Sequence, residues 1–547
     1  MKDNVAPSLP LRPPETVLRL ARMSQMMPTR LSFLRVLVRR LCAERAQVRR
    51  IHWDICEDGF GRAAYAIDLG GHTYSLVAIS SDLPPEQRSD RVIATAWDAA
   101  FVLFDGVATA KDIDRIAAEA PKQEAGRFEP RDLVLSRANK SVRMWEATVA
   151  ALRAGGQPDP DMIRDIGYLM RTTAVYGNGK FGIADRHMIA DRPGLDGPFA
   201  AEMLAVYMIR HFTLDLVQHV GGGTLDPDYA RHLGIGNATG LGMAPFLVNH
   251  PVLLNNWMVA RETALARVLA REAITSDQLE RLKHLARRAQ RHLSDWRVPA
   301  PDHDAILRQL EVDWAERAAT FDTLPAHRPF AAIWEAAQSA SVPVQELLAA
   351  LLIETCPEDV DELAADMCDR HGPLVAPFAD TDAVKAAIEA DWTWALACDY
   401  ASEDACRRFW YVSAAKLEPR LGDRFAEPGA ELESPLDIAR RVARLYHALP
   451  GSAQSVSEFL ETHPDHAHAV QRVAVLGRYP YAEIRDNLIA ATCRPIDMLR
   501  CKLSFFGATK FDPKSDLWTR ITLAQGAPLG DELRPEMDDW WLPVMER

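Results

Sequence analysis

An α+β fold that is predominantly α-helical is the class this sequence predicts: a small N-terminal antiparallel β-meander followed by a large helical body. Three observations lead there. Between residues 49 and 105, aromatic and β-branched runs alternate with glycine turns, the signature of hairpins. From about residue 110 onward the apolar residues recur at helical spacing. The composition, 48% hydrophobic and 25% charged over 547 residues, is that of a globular chain large enough to bury a sizeable core.

In chain order, residues 1–14 (MKDNVAPSLPLRPP) are proline-rich and read as an unstructured tail. Residues 15–48 carry two helical patterns. The second places Leu31, Phe33, Leu34, Leu37, Val38 and Leu41 on one face, with arginines mostly on the other. It reads as a surface helix pairing with an acidic body, or as an electrostatic dock for an anionic partner. The first fifty residues hold 11 Lys and Arg against 3 Asp and Glu, a balance of +8 in a chain of net −13, so the rest carries −21.

Residues 49–108 form the meander, with VRRIHWDIC, RAAYAIDLG, HTYSLVAIS and RVIATAWDAAFVLFDG as its strands. A central helical domain is expected over 109–300 and a C-terminal helical domain over 301–547. Helices are expected over, among others, 110–120, 138–154, 158–175, 199–220, 251–273 and 275–295, with Thr275-Ser276-Asp277 as a cap signal. The segment FDPKSDLWTRITL (511–523) is a strand candidate that returns to the sheet.

Composition also excludes. The net charge of −13 argues against nucleic acid as a partner. No apolar run reaches 18 residues, so no membrane span is expected. The eight cysteines include no C-x-x-C pair and read as reduced thiols. A cytoplasmic location is expected: the start lacks a signal-peptide core, and its proline-rich opening fits a transit peptide poorly. No G-x-S-x-G, H-E-x-x-H, P-loop or dinucleotide fingerprint occurs in context.

The candidate site lies between Arg171 and Trp257. One stretch, RTTAVYGNGKFG, holds Arg171, Thr172, Tyr176, Asn178 and Lys180 among three closely spaced glycines, with His187 shortly after. A second, GIGNATGLGMAP, holds Asn237 and Thr239 among four glycines, followed by Asn249 and His250. Glycine lets a backbone approach a ligand or close a tight turn, and it also serves plain packing. Between the two stretches, an apolar helix carries His211, Asp215 and His219 on one face. Positions eight apart on a helix are separated by about 12 Å, so these three cannot share one metal ion. They read as buried structural or acid/base groups, and no metal is assigned. The basic tract holding Arg494, Arg500, Lys502 and Ser504, and the histidines His463, His466 and His468, read as surface features.

These residues suggest an enzyme acting on a small anionic metabolite bearing carboxylate, sulfonate or phosphate, with lyase- or isomerase-type proton abstraction. Lys180 or His187 would be base or acid and Tyr176 a proton relay. Arg171, Thr172, Asn178, Asn237, Thr239, Asn249 and His250 would contact the substrate. The alternatives are an oxidoreductase with a tightly bound organic cofactor, and a non-catalytic helical interaction or assembly protein. The cofactor is unknown from sequence. A homo-oligomer is expected.

Overall fold

A computed structural model describes residues 11–12, 27–84, 97–120, 129–177, 191–237, 251–367, 378–399, 437–466, 469–470, 473, 504, 506–515 and 518–545. The chain order begins with α1 (Phe33–Glu44), the strands β1 (Arg49–Ile55), β2 (Gly61–Leu69), β3 (His72–Ser80) and β4 (Ala99–Asp105), and α2 (Ala110–Glu119). It continues through β5 (Asp132–Lys140), α3 (Met144–Arg153), α4 (Pro160–Ile166), β6 (Tyr168–Gly177), α5 (Ala200–Gly221), α6 (Pro227–His232) and β7 (Gly234–Asn237). Helices α7 (Pro251–Leu269), α8 (Ser276–Asp295), α9 (Pro301–Ala318), α10 (Pro329–Ala337) and α11 (Val342–Thr355) follow. The chain returns to the sheet as β8 (Lys510–Ser515) and β9 (Trp518–Leu523).

The sheet is larger than a local meander. Nine strands, gathered from Arg49 to Leu523, run in the order β1-β2-β3-β4-β5-β6-β7-β9-β8. The expected strands within 49–105 form β1 to β4, and the expected return at 511–523 supplies β8 and β9. The expectation fails between them. The helix expected over 158–175 stops at Gly167, whose φ of 72° puts it in the left-handed region and caps α4. Tyr168 onward is β6, rich in tyrosine, threonine and valine, which fit a pleated surface better than a helix. The helix expected over 138–154 likewise begins only at Met144, and the residues before it are the end of β5.

Strand β7 has two glycines in four residues and little intrinsic strand preference. Close packing holds it. A Cβ on Gly236 would lie 2.6 Å from the Tyr168 ring, and one on Gly234 would lie 2.3 Å from the Leu523 carbonyl oxygen.

Strand alternation divides the core. Ala63, Tyr65, Ile67, Leu76, Ala78, Phe101 and Leu103 face the main core, which includes most of α5. Ala64, Val77, Ala100, Val102 and Phe104 face the other way and are covered by Ile113 and Ile116 of α2. Helix α5 is apolar nearly all round, as a helix enclosed by protein must be. It lies against β2 to β7 and ends at Gly222, with φ 64°. Thr275 caps α8 in a reciprocal box with Gln278. No helix among the described residues is long and apolar enough to cross a membrane.

Helix α1 is not a surface helix. Arg35 is 0% exposed and donates to Glu354 of α11 at 2.5 and 2.9 Å. Arg30 reaches the same carboxylate at 3.0 Å and also bonds Asp361 and Asp538. The pairing with acidic residues holds, but it is buried. Burial opposes charge on Glu354, yet Arg35 overrides it, with Arg30 and Arg39 adding to the effect, and the carboxyl is held down to about 2.

Two outcomes follow for stability. Glu354→Gln leaves Arg35 without its counter-charge in the interior and lowers the unfolding free energy by about 3–5 kcal/mol. Arg40→Ala, on the exposed side of α1, lowers it by less than about 1 kcal/mol. The depressed carboxyl contributes stability above its unfolded value near 4.5, and that stability is lost as pH falls from there towards 2. Urea unfolding from pH 7 to pH 3 measures both. Equal losses for the two variants at pH 7 would refute the assignment.

Candidate functional site

Strands β6 and β7 run parallel, the chain passing from one to the other through α5 and α6. Every other pairing in the sheet is antiparallel. The register sets Tyr168 beside Gly234, Arg171 beside Gly236 and Thr172 beside Asn237. On the far side of β6, Asn139 lies opposite Arg171. Beyond β7, Gly236 pairs with Thr522 and Asn237 with Ile521.

The register therefore sets three sequence-predicted residues from the two glycine-rich stretches in adjacent positions, Thr172 and Asn237 on one face of the sheet and Arg171 on the other. All three are buried; Asn237 ends β7, whereas Arg171 and Thr172 lie within β6, which runs on to Gly177. Thr172 Oγ1 is 3.5 Å from the Gly236 carbonyl, a long contact. The placement differs from the expected one: Arg171 and Thr172 stand on a strand rather than a helix, and Gly234–Asn237 is itself a strand rather than a loop. Tyr176 is on β6 opposite Leu135. Asn178, Lys180, His187, Thr239, Asn249 and His250 lie outside the described residues.

The helix face bearing His211, Asp215 and His219 is divided among separate partners. Asp215 accepts a hydrogen bond from the Tyr65 hydroxyl at 2.7 Å and lies 3.5 Å from Arg50. His219 hydrogen-bonds the Cys56 carbonyl at 3.0 Å and meets Trp53 edge-on at 5.4 Å. His211 packs edge-on to Tyr207 at 4.9 Å, and its buried Nε2 has no hydrogen-bond partner among the described residues. Burial, reinforced by Arg210, pushes its imidazole down to about 3, so the ring stays neutral. Asp215 and His219 tie α5 to β2 and to the end of β1, whereas His211 packs against Tyr207 of the same helix.

A second polar cluster was not foreseen from the sequence. At the amino ends of β6 and β7, a cavity of about 30 Å³ is lined by Arg164 of α4, His232 of α6, His292 and Asp295 of α8, Lys510 of β8, and Gln525. Trp296, Pro543 and Met545 complete it. Lys510 Nζ donates to the carbonyls of Arg164 and Asp165. Behind it, Asp512 accepts from Arg520 at 2.6 Å and from Trp296 Nε1 at 3.0 Å. Burial lowers the Lys510 amine and pushes the His232 and His292 rings down to about 3 and about 4. Six segments build this cluster, and no motif joins them. The basic character of the tract before Lys510 was its only trace in the sequence.

Three imidazoles are thus held neutral well below their ordinary 6.5: His211, His232 and His292. Their folded values lie below the unfolded one, so their contribution to stability is whole above pH 6.5. It declines as pH falls from 6.5 towards 4, where only the unfolded chain takes up protons. Each ring adds up to one proton to that slope. His211→Leu should therefore flatten the fall in unfolding free energy between pH 7 and pH 4.5, and an unchanged slope would contradict its burial as a neutral ring. Comparison of the chain with protein-family descriptions, with curated proteins and with solved structures finds no match.

Proposed function

We propose that this chain is an enzyme acting on a small anionic metabolite at the carboxyl ends of β6 and β7, by proton abstraction of the lyase or isomerase type. One observation carries the reading: the parallel register that sets Arg171 and Thr172 beside Gly236 and Asn237. In open parallel sheets, ligands are received at the carboxyl ends of neighbouring strands, because the chain leaves the sheet there and its loops can diverge around a bound molecule; β6 and β7 share that local geometry. Both glycine-rich stretches continue from these two strand ends. The Thr172 hydroxyl and Asn237 amide on one face of the sheet, with the charge of Arg171 on the other, supply donors and a positive field that suit carboxylate, sulfonate or phosphate.

In this reading Arg171, Thr172, Asn178, Asn237, Thr239, Asn249 and His250 contact the substrate. Lys180 or His187 is base or acid, and Tyr176 relays a proton. The assembly alternative loses its main motive, since Arg30 and Arg35 are engaged inside the chain with Glu354, Asp361 and Asp538 rather than presented to a partner.

The test is a thermal-shift panel of organic acids, sulfonates and phosphate esters on the wild-type chain, Lys180→Ala and Asn249→Ala. At a hundredfold excess over Kd, a bound ligand stabilises by about 2.7 kcal/mol, a shift of several degrees at most for a chain of this size. The expected outcome is a class of anion that raises the wild-type Tm and has no such effect on Lys180→Ala. The ligand so found, incubated in D2O, should exchange a carbon-bound hydrogen detectable by NMR. If every anion acts alike on wild type and variants, the binding reading is wrong. Binding without exchange would remove the proton-abstraction chemistry.

A further inference from the structure

The cavity at the amino ends of β6 and β7 is separate from that site and does not depend on its reading. Its chemistry starts from His292. Nδ1 lies 3.1 Å from the Pro543 carbonyl, which can only accept, so Nδ1 carries the ring proton. Nε2 is then a bare lone pair, and it is buried with no partner among the described residues. Lys510 has three N–H bonds. Two go to the carbonyls of Arg164 and Asp165, and the nearest carboxylate to the third, Asp512, is 3.7 Å away, too far for a hydrogen bond.

Charges of both signs surround the space. Asp512 is bonded to Arg520 and lies in the field of Lys510, as does Asp165. Arg164, ion-paired with Asp161, and Lys510 line the space together with Asp295. Asp165 offers the cavity its carbonyl, and Arg288, one turn before His292, adds a further positive field, as does Lys510. The ring of His232 completes the wall. The space of about 30 Å³ takes one or two waters or a single monatomic ion, not an organic metabolite.

We propose that this cavity binds one small inorganic anion of halide size, taken up together with one proton on His292. The proton comes from solvent and bonds to Nε2. The resulting imidazolium keeps its Nδ1–H on Pro543 and directs Nε2–H at the anion, while the third N–H of Lys510 turns to it from the opposite wall. Ion and proton enter together, so the cavity gains no net charge. The bound ion links α8, β8 and the C-terminal Pro543–Met545 segment.

The experiment uses the full chain in sodium bromide, with sodium gluconate holding ionic strength constant. Bromide should raise the Tm saturably, and its apparent affinity should weaken by about 100-fold from pH 6 to pH 8, tenfold per unit for one linked proton. Calorimetry in two buffers of different ionisation heat should report uptake of about one proton per ion. His292→Gln, which keeps a polar side chain without a titrating ring, should lose the pH dependence. Because a change in this buried wall can also disturb folding, a bromide-grown crystal of the wild-type chain gives an independent reading: an anomalous peak within reach of His292 Nε2 and Lys510 Nζ. A linear, pH-independent salt response of the wild-type chain, or density for water alone in that crystal, overturns the proposal.

Discussion

Arg210 is the tie on which the arrangement of this molecule depends. It sits near the middle of α5, almost wholly buried, and no carboxylate among the described residues is bonded to it. Its guanidinium donates instead to four main-chain carbonyls: Leu233 at 2.8 Å, Ala527 at 2.8 Å, Arg231 at 2.8 Å and Ala230 at 3.3 Å. Burial pushes the group down to about 10, still high enough to keep it charged at neutral pH. A charge in the interior is tolerated only when its hydrogen bonds are met. Meeting them brings the α6–β7 junction and the segment after β9 to the same point on α5. Tyr207, one turn earlier, adds a bond from its hydroxyl to the Pro528 carbonyl. A short, glycine-rich strand is thereby held between β6 and β9, and the parallel pair exists because of it.

The other organising element is electrostatic and joins the two ends of the chain. Glu354 of α11 receives both Arg30 and Arg35, and Asp538 near the C-terminus receives Arg30 as well. Arg35 also faces the rings of Trp540 and Trp541 at 5.8 and 5.6 Å. A buried pair of this kind adds little net stability compared with apolar residues of the same shape, but breaking one half of it is expensive. Its effect is therefore selective: it penalises arrangements in which α1, α11 and the C-terminal segment are not all in place. The basic balance of the first fifty residues and the acidic balance of the rest are the sequence trace of this contact.

Some of this was legible in the chain and some was not, for physical reasons. Strands β1 to β4 announce themselves because each pairs with its neighbour in sequence, and β2 to β4 alternate between two cores, so a local pattern carries the signal. Helix α5 is legible because its apolar run is long and ends in glycine. Strands β5 and β6 adjoin α3 and α4 in sequence, and their apolar residues mimic a helical period; only Gly167 marked the change. Strand β7 is determined by what lies against Gly234 and Gly236, the Leu523 carbonyl and the Tyr168 ring, which no local propensity encodes. The polar groups followed the same division. Arg171, Thr172 and Asn237 stood out through their glycine neighbours, whereas His232, His292 and Lys510 meet only after α6, α8 and β8 have assembled.

That division bears on how an acidic chain handles anions. A net charge of −13 repels them at long range, so any anion site must act at short range through cations held where water does not screen them. These arginines do not serve: Arg35 of α1 turns inward, and Arg40, Arg231, Arg267 and Arg271 are paired with Glu44, Glu532, Glu362 and Asp359. The interior cations are placed differently. Arg171 stands within the parallel pair beside Gly236, and Arg164 and Lys510 stand near its amino end, where Arg164 pairs with Asp161 and Lys510 donates to main-chain carbonyls. The parallel pair has a direction that antiparallel neighbours cancel, and its two ends are not equivalent. The amino end is lined by α4, α6 and α8 around a space of about 30 Å³, the size of an ion rather than of a metabolite. The carboxyl end is where both glycine-rich stretches continue beyond the strands.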